Sequence, residues 1–189
     1  DPVHYGHLLL AECCREQCRL DQVCFVPAGR PPHKQGRELS PGAMRADMLD
    51  LATAGHEHFT VSRFELDRDS ISYTVDTLRN FRAMEPNAEL FLLLGADMLH
   101  DLPNWREAAE VCRLAVPVAV HRAGVAPPDY DALAPIASAE QIEGFRRHQV
   151  EMPEIGISST DIRRRVASGG SIRYQTPRAV EQYLQAHRP

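Results

Sequence analysis

AELFLLLGAD, residues 88–97, is the stretch that decides the fold. Leu90 to Leu94 form an unbroken apolar run with no polar residue alternating through it. A strand of that kind is covered on both faces, which is what a parallel sheet between two layers of helices provides. Gly95 is expected to permit a sharp turn out of the strand.

Working outward, strand and helix signals alternate. VCFVP (23–27), FTVSRFEL (59–66), LAVPVAVHR (114–122, despite Pro117) and HQVEM (148–152) read as further strands. Helical spacing predicts helices over 6–19, after Ser40-Pro41 (stripe Met44, Met48, Leu51, Ala52), from Ser72 or Thr74 (Val75, Leu78, Phe81) and over 105–112. Others are predicted near 138–147, from Ser159 (Ile162, Val166) and from Thr176-Pro177 (Val180, Tyr183, Leu184). This order implies an α/β fold: a Rossmann-like open parallel sheet with helices on both faces, in one domain over 1–189. Such sheets bind ligands at the carboxyl ends of their strands, which singles out the loops 28–40, 95–105, 121–127 and 153–160. The fold class also predicts a strand leading into Asp1.

The bulk composition excludes several classes. The chain has 189 residues, 43% hydrophobic and 25% charged, with net charge −5. No apolar run approaches the roughly 20 residues a membrane span needs, and no signal-peptide pattern is visible. A net negative chain carries no general nucleic-acid surface. Cys13, Cys14, Cys18, Cys24 and Cys112 are an odd set without a second cluster to complete a zinc site. They read as reduced, buried, small apolar residues of a cytoplasmic protein, and no protein metal site is expected. His56 and His58 read as a solvated loop.

Three places carry chemistry. In HYGH (4–7), His4 is placed in the turn before a helix and His7 in its first turn. Gly6 lets a ligand approach the backbone, and the helix N-terminus adds unpaired N–H groups and partial positive charge. Together they form a phosphate site; taken alone, the pattern would be two surface histidines. PPHK (31–34) contains the only lysine, the other 20 basic residues being arginine. Lys34 offers a compact charge in a loop stiffened by proline, or else it is an ordinary surface lysine. In ISSTDIRRR (157–165), Ser158, Ser159 and Thr160 open a helix, and Arg163 falls one turn in. That makes a second phosphate cradle, while Arg164 and Arg165 fit a solvated face.

HYGH after DPV, VPAGRPPHK, SYTVDTL, LGAD, LPNW, ISSTDIR and SIRYQTP occur in the order found in bacterial nicotinate-nucleotide adenylyltransferases. The chain resembles that family over almost its whole length. HxGH alone marks the wider nucleotidyltransferase superfamily; PPHK, SYT and LPNW together are more specific. The family carries a strand and a GGTF turn just before DPVH, and these are expected upstream of residue 1.

The resemblance implies the HxGH nucleotidyltransferase fold and the reaction ATP + nicotinate mononucleotide → deamido-NAD + pyrophosphate. A nicotinamide mononucleotide or phosphopantetheine acceptor is the alternative, and a nucleotide sensor without turnover is a more distant one. It assigns His4, His7, Lys34 and Arg163 to the reacting phosphates. ATP falls to His4, Gly6, His7, Gly95, Asp97, Ser158, Ser159 and Arg163, with Asp97 placed for ribose hydroxyls or else capping a helix. The acceptor falls to His33, Lys34, Thr74, Trp105 and Arg122, with Trp105 stacking on the pyridine or else filling the core. Mg²⁺ is expected on the triphosphate, because no carboxylate cluster offers a cage.

Overall fold

The structure, a computed structural model, describes residues 1–32, 40–122 and 127–187. It divides into two compact units. One comprises Asp1–Ala11, Asp21–Ile71 and Ile155–Pro189; the other comprises Glu12–Leu20 and Ser72–Glu154.

In the first unit α1 (Tyr5–Gln17, continuing into the second unit) follows the DPVH segment. Then come β1 (Val23–Phe25), α2 (Gly42–Thr53) and β2 (Phe59–Val61); α7 (Ser159–Ala167) and α8 (Arg178–Ala186) complete the unit. β1 and β2 pair in parallel, Cys24 opposite Thr60. The core forms around Val3, Met48 and Val180, with Leu8, Tyr183 and Leu184 against it. Each fully buried side chain of this size contributes about 1.5–3 kcal/mol. The packing therefore ties the segment before α1 to α2 and α8.

The second unit contains α3 (Thr74–Met84), β3 (Phe91–Gly95), α4 (Ala96–Asp101), α5 (Ala108–Leu114), β4 (Val116–Arg122), α6 (Ala139–Arg146) and β5 (Val150–Met152). β3, β4 and β5 form a parallel sheet in that order. Val75, Leu94, Leu99, Val111, Tyr130 and Phe145 are among its buried core. The Tyr130 hydroxyl accepts the Ala119 N–H at 3.0 Å, so the buried ring keeps a polar partner. Pro117 is tolerated because β5 joins β4 only from Val120 onward, leaving β3 as its sole described neighbour at that level.

All described strand pairs are parallel, as the apolar run at 90–94 implies. The expected strand 59–66 stops at Val61, because Leu66 and Asp67 donate back to the Arg63 carbonyl and turn the chain. The helix expected over 105–112 starts at Ala108, because Glu107 sits in the left-handed region (φ 50°) and breaks the path from Trp105. Ser40 does not cap α2: Pro41 holds the cap position, with no side-chain bond.

Candidate active site

His4 precedes α1, and His7 is in its first turn. The Gly6 N–H donates to His4 Nδ1 at 3.1 Å, and the His4 N–H donates to His7 Nδ1 at 3.3 Å. The rings stack with centroids 3.9 Å apart. An Nδ1 that accepts must be unprotonated, so each neutral ring carries its proton on Nε2. His4 is buried, 7% exposed. Burial, then the neighbouring His7, lowers its pKa to about 4. His7 is the more exposed, yet protein around its inner face still lowers its pKa. The pair therefore offers two neutral Nε2–H donors.

Gly6 is needed for this packing. A Cβ there would lie 2.9 Å from His4 Cε1 and Nδ1. The expected unpaired N–H groups are in fact used internally. Tyr5 donates to Gln175 O at 3.1 Å, Gly6 to His4 Nδ1, and His7 to His4 O at 2.9 Å. What remains for an anion here is the helix dipole and the two imidazoles.

α7 lies in the same unit. Ser158 caps it, its Oγ accepting the Asp161 N–H at 3.1 Å. Ser159 Oγ donates to Pro2 O at 2.9 Å, and Arg163 Nη1 donates to Asp1 O at 2.6 Å. Thr176, fully buried, donates to Val3 O at 2.7 Å. Residues far apart in sequence thus converge on the segment leading into His4. Arg164 pairs with Asp161, and Arg165 is exposed, as a solvated face requires.

The stems of the loop after β1 are joined by a residue that pattern reading missed. Arg45 of α2 donates to Ala28 O at 2.5 Å and to Ser40 O at 3.0 Å. Burial lowers its pKa, and Glu65 opposes this. The Ser40 N–H meanwhile donates to the Asp1 carboxylate at 3.2 Å. One guanidinium fork thus spans both stems. His33 and Lys34 lie outside the described residues, and so does the side chain of Arg122, whose backbone ends β4.

In the second unit, β3 runs directly into α4 at Gly95. Its φ is −65°, so no left-handed turn is involved. Glycine is required there by a close approach, since a Cβ would lie 2.7 Å from Asp97 Oδ1. The exposed Asp97 carboxylate makes no capping bond to α4. Thr74 opens α3 directly after Tyr73. Trp105 is half-buried against the core, and its indole N–H donates to Asp101 Oδ2 at 3.2 Å. The Arg106 guanidinium lies over the Tyr73 ring at 4.4 Å. That contact joins SYT to LPNW, the two segments the sequence assigned to one acceptor.

The cytidylyltransferase-like family model matches residues 1–165. A probable nicotinate-nucleotide adenylyltransferase of Thermomicrobium roseum is 43% identical over 99% of this chain and 86% of its own length. Its Thermus thermophilus counterpart is 46% identical, over 99% and 92%. The chain belongs to the nicotinate-nucleotide adenylyltransferase family.

A Plasmodium falciparum nicotinic acid mononucleotide adenylyltransferase complexed with NaAD shares the fold, with TM-score 0.73 over 98% of this chain and 90% of its own, at 14% identity. The five cysteines are free, and burial pushes the Cys14 thiol up to about 12 and that of Cys112 to about 11. Those two behave as inert apolar residues, whereas Cys13, Cys18 and Cys24, expected to be buried, are only partly so because they lie towards the surface on α1, just after it and on β1. Among the described residues no helix is long and apolar enough to cross a membrane, and no cluster of three His, Cys, Asp or Glu is placed to hold a metal. Arg45 and Arg106 left no periodic signal, because Ala28 and Tyr73, which they reach, lie 17 and 33 positions upstream.

Proposed function

We propose that the protein is a cytoplasmic enzyme of NAD synthesis. It transfers AMP from Mg²⁺-ATP to nicotinate mononucleotide, giving deamido-NAD and pyrophosphate. The observation that supports this most is the stacked His4–His7 pair, with both Nδ1 atoms satisfied by backbone N–H groups. Its relatives carry the name of this activity.

The acceptor phosphate has a second pKa of about 6, so near neutrality it is already a nucleophilic dianion and needs no strong base. Its oxygen attacks the α-phosphorus of ATP, the bond from that phosphorus to the α–β bridging oxygen breaks, and pyrophosphate leaves with the electron pair. The protein holds two polyanions in line and stabilises charge on the reacting phosphoryl group. His4 and His7 donate Nε2–H bonds to the α-phosphate. Lys34 bridges the reacting phosphates with His33 beside it, and Ser158, Ser159 and Arg163 take the β/γ end. Arg163 then exchanges its bond to Asp1 O for phosphate. Asp97 accepts from ribose hydroxyls beside Gly95, while Trp105, Thr74 and Arg122 take the acceptor. Mg²⁺ enters as the nucleotide's counter-ion, since the donors at hand are imidazoles, guanidinium and hydroxyls rather than a carboxylate cage.

ATP labelled on the α-phosphorus tests the reaction. With nicotinate mononucleotide the label should appear in the dinucleotide, with unlabelled pyrophosphate released. Label recovered as free AMP would mean that water, not the acceptor, is the nucleophile.

A further inference from the structure

We propose that His121 hydrogen-bonds the adenine base of ATP and so contributes to nucleotide selectivity. This rests on the assignment of adenosine to Gly95 and Asp97 above. His121 is the last residue but one of β4, and it is only 9% exposed. Its Nδ1 is the one buried side-chain nitrogen or oxygen among the described residues that has no hydrogen-bond partner. The buried Tyr130 hydroxyl, by contrast, is paired with the Ala119 N–H. A buried polar atom left unpaired is costly, so the imidazole is held ready for a partner that arrives with a ligand.

The position of His121 in the sheet decides which part of the nucleotide supplies that partner. Gly95, at the end of β3, stands opposite Val120, so His121 lies one residue beyond the level of Gly95. That is the carboxyl edge of the parallel sheet, where such folds bind ligands. Side chains alternate along a strand, so His121 shares a face with Ala119, whose register partner is Leu94. Both are buried and apolar, which suits a flat base and not a hydrated phosphate. On the other flank, His121 is paired in register with Glu151 of β5, an exposed carboxylate. A phosphate brought to this point would meet that negative charge; a neutral base does not. The Gln17 side chain holds the Glu151 backbone at both its N–H and its carbonyl, which fixes this corner of the sheet. Adenine carries ring nitrogens that accept and an amino group that donates, so Nδ1 finds a partner in either tautomer.

The test measures pyrophosphate release with nicotinate mononucleotide in the full-length protein and in His121→Leu and His121→Asn. It adds inhibition by ribose 5-triphosphate, which has the sugar and phosphates but no base. Loss of the bond should raise the Michaelis constant for ATP about 3- to 10-fold in His121→Leu, with kcat and the inhibition by ribose 5-triphosphate unchanged. His121→Asn, whose amide sets a polar atom near the place of Nδ1, should recover part of the loss. Unliganded His121→Leu should melt no lower than the unsubstituted protein, because it loses an unpaired polar atom and no bond. In the unsubstituted protein the Nδ1 nitrogen-15 resonance should shift with ATP and stay in place with ribose 5-triphosphate; if His121→Leu does not fold, this resonance decides. An unchanged Michaelis constant for ATP, equal weakening of ATP and ribose 5-triphosphate, or an unmoved resonance overturns the inference while leaving the adenylyltransferase reading intact. No pyrophosphate release by the unsubstituted protein would remove that reading and this inference with it.

Discussion

His7 lies face to face with His4, the ring planes 29° apart, and each ring accepts a backbone N–H on Nδ1. Both rings are therefore held as neutral Nε2–H donors in the free protein. The folded pKa of His4, about 4, lies below its ordinary 6.5. Between those values the unfolded chain binds the extra proton. Stability is complete above about pH 6.5 and falls as pH drops towards 4, by on the order of 2 kcal/mol from this residue. Chemical denaturation at pH 7 and pH 4.5 should show a smaller acid loss in His4→Asn than in the unsubstituted protein; equal losses would contradict the buried neutral assignment. Added pyrophosphate should raise the His4 pKa in an NMR titration.

Gly6→Ala separates packing from helix propensity. Alanine in the first turn of α1 would by propensity alone stabilise the helix by about 0.5–1 kcal/mol. The new Cβ, however, meets the His4 ring at 2.9 Å. Activity should fall about tenfold or more while the melting temperature changes little. A variant that is both more stable and fully active would show that the ring has room to shift at no cost.

Asp97 decides between a structural and a ligand-binding role. It makes no capping bond to α4, so Asp97→Asn should cost less than about 1 kcal/mol of stability. The Michaelis constant for ATP should rise with that for the acceptor little changed, and Gly95→Ala should do the same by displacing the carboxylate. A stability loss without a kinetic change would place Asp97 in the scaffold.

Arg45 spans Ala28 O and Ser40 O, so lysine, with one compact donor, should not replace it. Arg45→Lys and Arg45→Ala should lose similar amounts of kcat/KM, roughly tenfold or more, and millimolar guanidinium should partly restore the alanine variant. Full activity in Arg45→Lys would show that charge alone suffices.

Much of the architecture was legible because it rests on local pattern. The run Leu90–Leu94 announced β3, and the stripe Val180, Tyr183 and Leu184 announced the buried face of α8. The errors came where a backbone conformation with no apolar signature intervened. Glu107 in the left-handed region delayed α5, and the turn at Arg63 shortened β2. The place of HYGH at the start of α1 was legible, but not the internal use of its N–H groups, since that depends on Gln175 and on ring rotation. Trp105 packs half-buried against the core, with its indole N–H on Asp101, a tether that no periodic pattern shows. Arg106 over Tyr73 was not legible at all, because only the fold brings positions 73 and 106 together.

Pyrophosphate release from Mg²⁺-ATP by the full-length protein, with nicotinate mononucleotide, nicotinamide mononucleotide and phosphopantetheine in separate reactions, tests the central claim most directly. Release should be strong with the acid, weak with the amide and absent with phosphopantetheine, and His4→Asn should abolish it. Release with phosphopantetheine alone, or with none of the three, would contradict the account.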